Sequence, residues 1–138
     1  MSYKYLEHAT DALIEVKAKT LEEAFVVAGK SVVETIIDLN NIQEIEEKNI
    51  KVKGRNLLNL LYNWLEEIVT ITITDGFAIR NFSVSIKKNK ECQIISKISG
   101  EKLDLKKHNF KIEIKSPTFH LMEIKENDEI TMQYLLDL

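Results

Sequence analysis

Cysteine is almost missing from this chain. Cys92 stands alone, which rules out an internal disulfide and a cysteine-rich zinc site. Proline occurs once, at Pro117, and the four glycines (Gly29, Gly54, Gly76 and Gly100) are isolated from one another. Loops are therefore expected to be short, and the glycine-rich phosphate cradles of dinucleotide-binding and P-loop proteins are excluded. No run reaches the roughly 18 to 20 apolar residues that a membrane span requires. Met1-Ser2-Tyr3-Lys4-Tyr5 does not lead into the apolar core of a signal segment. The expectation is a soluble, cytoplasmic protein. Neither sign of charge is in excess: 19 Lys and Arg against 22 Asp and Glu give a formal net charge of −3. That balance speaks against strong direct binding of nucleic acid, which rests on phosphate neutralisation, and leaves room only for a small local basic patch.

What is present suits one folded domain spanning residues 1–138, with 44% hydrophobic residues. Ala12, Ile14, Val16 and Ala18 alternate with Leu13, Glu15 and Lys17, the period of a half-buried strand. Thr20 and Glu23 have the spacing of a capping box. The helix behind it is expected to run to about Leu39, with Leu21, Phe25, Ala28, Val32 and Ile36 inward. A strand is expected near 48–53, then a second helix from about Asn56 that buries Leu57, Leu61, Trp64, Leu65 and Ile68. Ile71-Thr72-Ile73-Thr74 reads as a helix end or a short strand.

The remainder reads as β. Phe82, Val84 and Ile86 alternate, 92–98 forms the next strand, and 101–109 is a polar connection. Phe110, Ile112 and Ile114 predict another strand, interrupted at Ser116-Pro117 and resumed at 119–124. The last strand covers 129–138. This order predicts an α+β fold with two amphipathic helices packed on antiparallel or mixed sheets.

The last strand runs to the final residue, so the side-chain carboxylate of Asp137 adjoins the main-chain carboxylate of Leu138. Two anionic groups on a stiff strand end form half of a hard-cation site. Asp11 lies at the start of the first clear strand, with the parity of Leu13 and Glu15, away from the buried face. Each aspartate alone is equally a solvated strand end. His108 sits in a polar connection and reads as solvated. His120 reads as a hydrogen-bonded strand histidine, and Cys92 as a small core residue. Lys115 faces away from the Phe110/Ile112/Ile114 set. It is either an edge-strand guard beside the proline or a partner or phosphate contact.

Five segments in order resemble the archease family over nearly the whole chain. They are His8-Ala9-Thr10-Asp11, Leu57-Leu58 with Leu61 through Glu67, Gly100-Glu101, Lys115 through His120, and the terminal Leu136-Asp137-Leu138. The family's His-Thr-Ala-Asp order is here His-Ala-Thr-Asp. Its Lys-Ala-Val-Thr-Tyr-His is Lys-Ser-Pro-Thr-Phe-His, which loses a hydroxyl at Phe119. The resemblance implies an archease-like fold and an accessory protein in place of a stand-alone enzyme. Such a protein activates the RtcB-type RNA ligase of tRNA splicing by promoting its guanylylation from GTP, permits multiple turnover, and can broaden nucleotide use. It further implies a divalent-cation site, calcium above all, at Asp11, Asp137 and the terminal carboxylate of Leu138. Lys115, His8 and His120 are candidate partner contacts. Two other readings compete: a metal-dependent hydrolase in its own right, and a module that binds RNA directly.

Overall fold

The computed structural model describes residues 2–6 and 10–138. Seven strands and two helices appear among them: β1 (Ser2–Leu6), β2 (Asp11–Ala18), α1 (Leu21–Ile36), β3 (Glu46–Gly54), α2 (Leu57–Val69), β4 (Phe77–Lys88), β5 (Cys92–Lys102), β6 (Ser116–Glu126) and β7 (Ile130–Asp137). They form two sheets, ordered β1-β2-β7-β6 and β3-β5-β4. Every pairing is antiparallel. The α+β architecture with two helices on antiparallel sheets is as expected from the residue pattern.

Local chemistry sets the helix starts. The Thr20 side chain accepts the Glu23 N–H at 3.1 Å, and the Asn56 side chain accepts that of Asn59 at 2.8 Å. α1 packs on β2 of one sheet and β4 of the other, and α2 packs on β3 and β6. Their shared core includes Phe25, Trp64 and Phe82. The Trp64 ring lies edge-on to both phenylalanines, and its indole N–H donates to the Phe25 carbonyl at 2.9 Å. Tyr134 is fully buried and hydrogen-bonds Ser31 on α1, tying β7 to the helix layer. Cys92 is a buried core residue, as expected.

Several expectations are corrected. β1 had no strong signal, because only Tyr3 of its residues is packed on the core. α1 ends at Ile36, and a short 3₁₀ turn over Leu39–Asn41 follows. Of the two readings of 70–74 the helix end holds, as a π-turn that continues α2, with the Thr72 hydroxyl donating back to the Ile68 carbonyl at 2.9 Å. Phe110, Ile112 and Ile114 do not form a strand. That segment is held by isolated bonds, Lys111 N–H to the Ile36 carbonyl and Lys115 N–H to the Asp137 carbonyl, each 2.8 Å. Phe110 and Ile112 are exposed, and only Ile114 is buried. Pro117 does not interrupt a strand. It lies within β6, an edge strand, where a missing N–H is tolerated. Among the described residues no helix is long and apolar enough to cross a membrane.

Candidate functional site

β2 begins at Asp11 and β7 ends at Asp137, and the register sets these two residues directly opposite one another. On its other side Asp137 pairs with Ser116, the first residue of β6. Residues so paired share a face, with Cβ atoms about 4.5–5.5 Å apart. Two carboxylates from opposite ends of the chain and one hydroxyl thus form a single row across three strands. The next row along is Leu13, Leu135 and Thr118.

A cleft of about 580 Å³ opens over these rows, and Asp11, Asp137, Ser116, Thr118 and Leu135 all line it. Its remaining wall comes from a bulge. Thr118 pairs with Leu135 and Glu123 with Gln133, so residues 119–122 of β6 stand against Tyr134 alone. The surplus is looped outward with Leu121 at φ 62°. Two bonds close it: His120 N–H to the Thr118 hydroxyl at 3.1 Å, and Gln133 Nε2 to the Leu121 carbonyl at 2.9 Å. The bulge carries Phe119 and His120 over the cleft. Phe119 stacks on Tyr62 of α2 with ring centroids 4.3 Å apart and planes within 9°. Burial, aided by Glu66, pushes the Tyr62 phenol above its usual range, so it stays neutral at ordinary pH.

Of the residues singled out in the sequence, the structure gathers Asp11, Asp137 and His120 around this cleft. His120 lies on strand β6, as expected, but at its bulge and with its side chain exposed. Lys115 is exposed just before β6, and its N–H bond to the Asp137 carbonyl fixes it beside the strand end. Leu138 follows Asp137 with its side chain packed against the core. His8 lies outside the described residues. Tyr62, Ser116 and Thr118 were missed as cleft residues. The signal for Tyr62 was its place between the inward Leu61 and Trp64, at the border of the helix's buried face.

The donor set is all oxygen, which fits a hard cation such as calcium or magnesium. Like charges directly opposite on neighbouring strands are destabilising, so a cation between them would relieve a built-in repulsion. Among the described residues no group of three or more His, Cys, Asp and Glu side chains is placed to hold a metal. The side chains here offer two carboxylates, and further oxygens would have to come from the main chain, hydroxyls or water.

A second polar cluster serves the fold. His108, read as solvated, is fully buried. Its Nδ1 accepts the Asp104 N–H at 3.0 Å, so Nε2 carries the proton and donates to Glu101 at 3.0 Å. Glu101 also accepts from the Lys107 ammonium at 2.8 Å and the Gln43 N–H at 2.8 Å. These partners, Lys107 first, hold its carboxyl at about 2. The connection is not recognisable as structure in the sequence because its polar residues close on one another, His108 on Asp104 and Glu101, while Gln43 joins from far along the chain.

Comparison with known proteins supplies a family. The model of the Archease protein family matches residues 3–138. The protein archease of Pyrococcus abyssi is 36% identical over 125 residues, 90% of this chain and 88% of that protein. That of Methanopyrus kandleri is 34% identical and covers the whole of both chains. In structure, a Methanobacterium thermoautotrophicum protein solved in solution superposes with a TM-score of 0.81 at 27% identity, over 99% of each chain. The crystal structure of an archease of Thermotoga maritima, described as a possible chaperone, gives 0.61 over 98% of this chain and 96% of that one. At 20% identity this second likeness speaks for the fold alone.

Proposed function

This chain belongs to the archease family, and we propose that it acts as the accessory activator of an RtcB-type tRNA-splicing RNA ligase. In this reading it promotes ligase guanylylation from GTP and so permits repeated turnover. The observation that carries the proposal is the Asp11–Asp137 pair, held face to face by the β2–β7 register at the mouth of an open cleft. Asp11, Asp137 and the terminal carboxylate of Leu138 would hold a divalent cation, calcium by preference for many oxygen ligands. When bound, that cation supplies positive charge and open coordination positions for oxygen groups of the ligase or its nucleotide.

The chain's own residues do the positioning. Antiparallel pairing fixes the backbones that carry the two carboxylates, so only their side chains are left to order at the moment of docking. Lys115, exposed and tied through its N–H to the Asp137 carbonyl, starts its side chain from the same strand end, where its ammonium would meet phosphate or ligase carboxylate. His120 and the Phe119–Tyr62 stack form a firm wall that the ligase surface would touch. A fixed, concave, mixed-charge surface of this kind suits engagement of a partner's active site better than chemistry of its own.

The test is a guanylylation assay of the cognate ligase with GTP, with and without this protein. Formation of the ligase–guanylate adduct should rise and become catalytic when the protein is added. Asp137→Ala, and a single residue appended after Leu138, should each lose most of that stimulation. Stimulation that survives both changes refutes the proposal.

A further inference from the structure

The net charge of −3 conceals an uneven distribution. In the β3-β5-β4 sheet one face is packed under the helices, through Val52, Ile94, Ile98 and Phe82. The other face is open, and the register resolves it into rows that cross all three strands. One row is Asn49, Lys97 and Ser83. The next is Lys51, Ile95 and Ser85. The third is Lys53, Gln93 and Lys87. Beyond the third row, exposed Arg55 follows β3 and exposed Lys90 lies in the β4–β5 turn. The opposing acids are few. Glu47 approaches Lys97 at 3.8 Å, with both side chains more than half exposed, and Glu91 lies in the turn. Glu44 is engaged by the Ser99 hydroxyl at 2.6 Å, at the far end of the face. Among the described residues Lys51, Lys53 and Lys87 form no ion pair.

We propose that this sheet face is a docking surface for the phosphate backbone of RNA. Its three lysine-bearing rows span about 13 Å along the strands, at two residues per step of roughly 6.7 Å. An open, extended array of cations matches a polyanion, whereas a small anion would need enclosure. The side chains between the lysines are hydroxyls and amides, groups that hydrogen-bond phosphate oxygens and 2′-hydroxyls. The face lacks the features of a protein interface. Ile95 is its one exposed large apolar side chain, and lysine is depleted from protein–protein interfaces, whose cores rely on aromatic and apolar anchors. Edge protection accounts for lysines on β3 and β4 but not for Lys97, which sits on the central strand β5. With no exposed aromatic ring for base stacking, binding is weak, independent of sequence and salt-sensitive.

The test uses the isolated protein in EDTA, without ligase, so it succeeds or fails independently of the proposed activator role. Fluorescence anisotropy follows a labelled 20-nucleotide poly(U) RNA between 50 and 200 mM salt. With about four lysine–phosphate contacts, the slope of log K against log salt should be about −2.8, roughly a 50-fold loss across that range. Lys51→Glu with Lys53→Glu should weaken binding at least tenfold at the lower salt. Lys17→Glu, an exposed lysine on the other sheet, should change it less than twofold. Circular dichroism checks that all variants remain folded. The proposal is overturned by absence of binding at 50 mM salt, by a slope near zero, or by equal loss in both variants. Displacement of the RNA by polyglutamate at equal charge concentration also overturns it, in favour of an acidic protein partner.

Discussion

Replacing Asp137 by Asn should move stability in opposite directions with and without a divalent cation. The β2–β7 register holds the two aspartates opposite one another, so each is a permanent like-charge neighbour of the other. At about 5 Å, the repulsion is on the order of 1 kcal/mol at the dielectric of water and about 3 kcal/mol at an effective value of 20. Asp137 is exposed and Asp11 half-buried, so the lower figure applies. The main-chain bond from Lys115 to the Asp137 carbonyl survives the substitution. In EDTA the variant should therefore melt about 3 to 4 °C above the parent, the shift that about 1 kcal/mol gives in a domain of this size. Calcium at a hundred times its dissociation constant should stabilise the parent by about 2.7 kcal/mol and the variant hardly at all. The two melting curves would then exchange order between EDTA and calcium in differential scanning fluorimetry. A variant that melts lower than the parent in EDTA, or calcium shifts of equal size in both proteins, would refute the reasoning.

A single residue appended after Leu138 should leave the melting temperature in EDTA unchanged and remove most of the calcium-dependent rise, measured in the same titration. Gly100→Ala should be among the most damaging single changes. A Cβ there would lie 1.8 Å from the Ala78 carbonyl oxygen and 2.9 Å from its carbon, both backbone atoms of the paired strand. The cost is about 3 kcal/mol or more, visible as a lowered urea midpoint, and an unchanged midpoint would contradict the close β4–β5 approach. Glu101 predicts an acid-sensitive fold. Its carboxyl is held at about 2, below its ordinary 4.5, so its contribution is complete above pH 4.5 and is lost as pH falls toward 2. Glu101→Gln should flatten the fall of melting temperature across that window, and an unaltered pH profile would show that the Lys107 and His108 contacts carry no linkage.

The elements that frame the site were legible because their signals are local. Period-two alternation identified the buried face of β2, and Ala12, Ile14, Val16 and Ala18 are all buried. The Thr20–Glu23 capping box identified the start of the first helix, and the Asn56 cap of the second shows only in the structure. Parity alone placed Asp11 and Asp137 away from the core. Their meeting was not legible in this way, because register is a property of two strands and no spacing in one strand encodes its partner. Family resemblance supplied the expectation that periodicity could not. Phe110, Ile112 and Ile114 misled for a related reason: alternation is necessary for a strand, but a ladder also needs a neighbour, and the main-chain bonds of that segment go singly to Leu105, Ile36 and Asp137. The β6 bulge escaped notice because its cause is a mismatch in length against β7, and His108 because a stretch of polar residues reads as solvated even where, as with His108, Asp104 and Glu101, the side chains close on one another.

The topology explains why a site can be assembled at so little cost to the core. β7 runs antiparallel to both neighbours, and the register brings its last residue to the first residues of β2 and β6. Charged side chains placed there lie where the ladders stop and need no buried partner. The same end of the sheet is therefore acidic by construction, while the lysine rows occupy the open face of the other sheet. A polyanion such as RNA would be attracted to one surface and repelled by the other. Occupation of the acidic end by a divalent cation removes two of its negative charges and with them most of that repulsion. On this argument cation binding and RNA approach are thermodynamically linked through charge alone, without any change of shape.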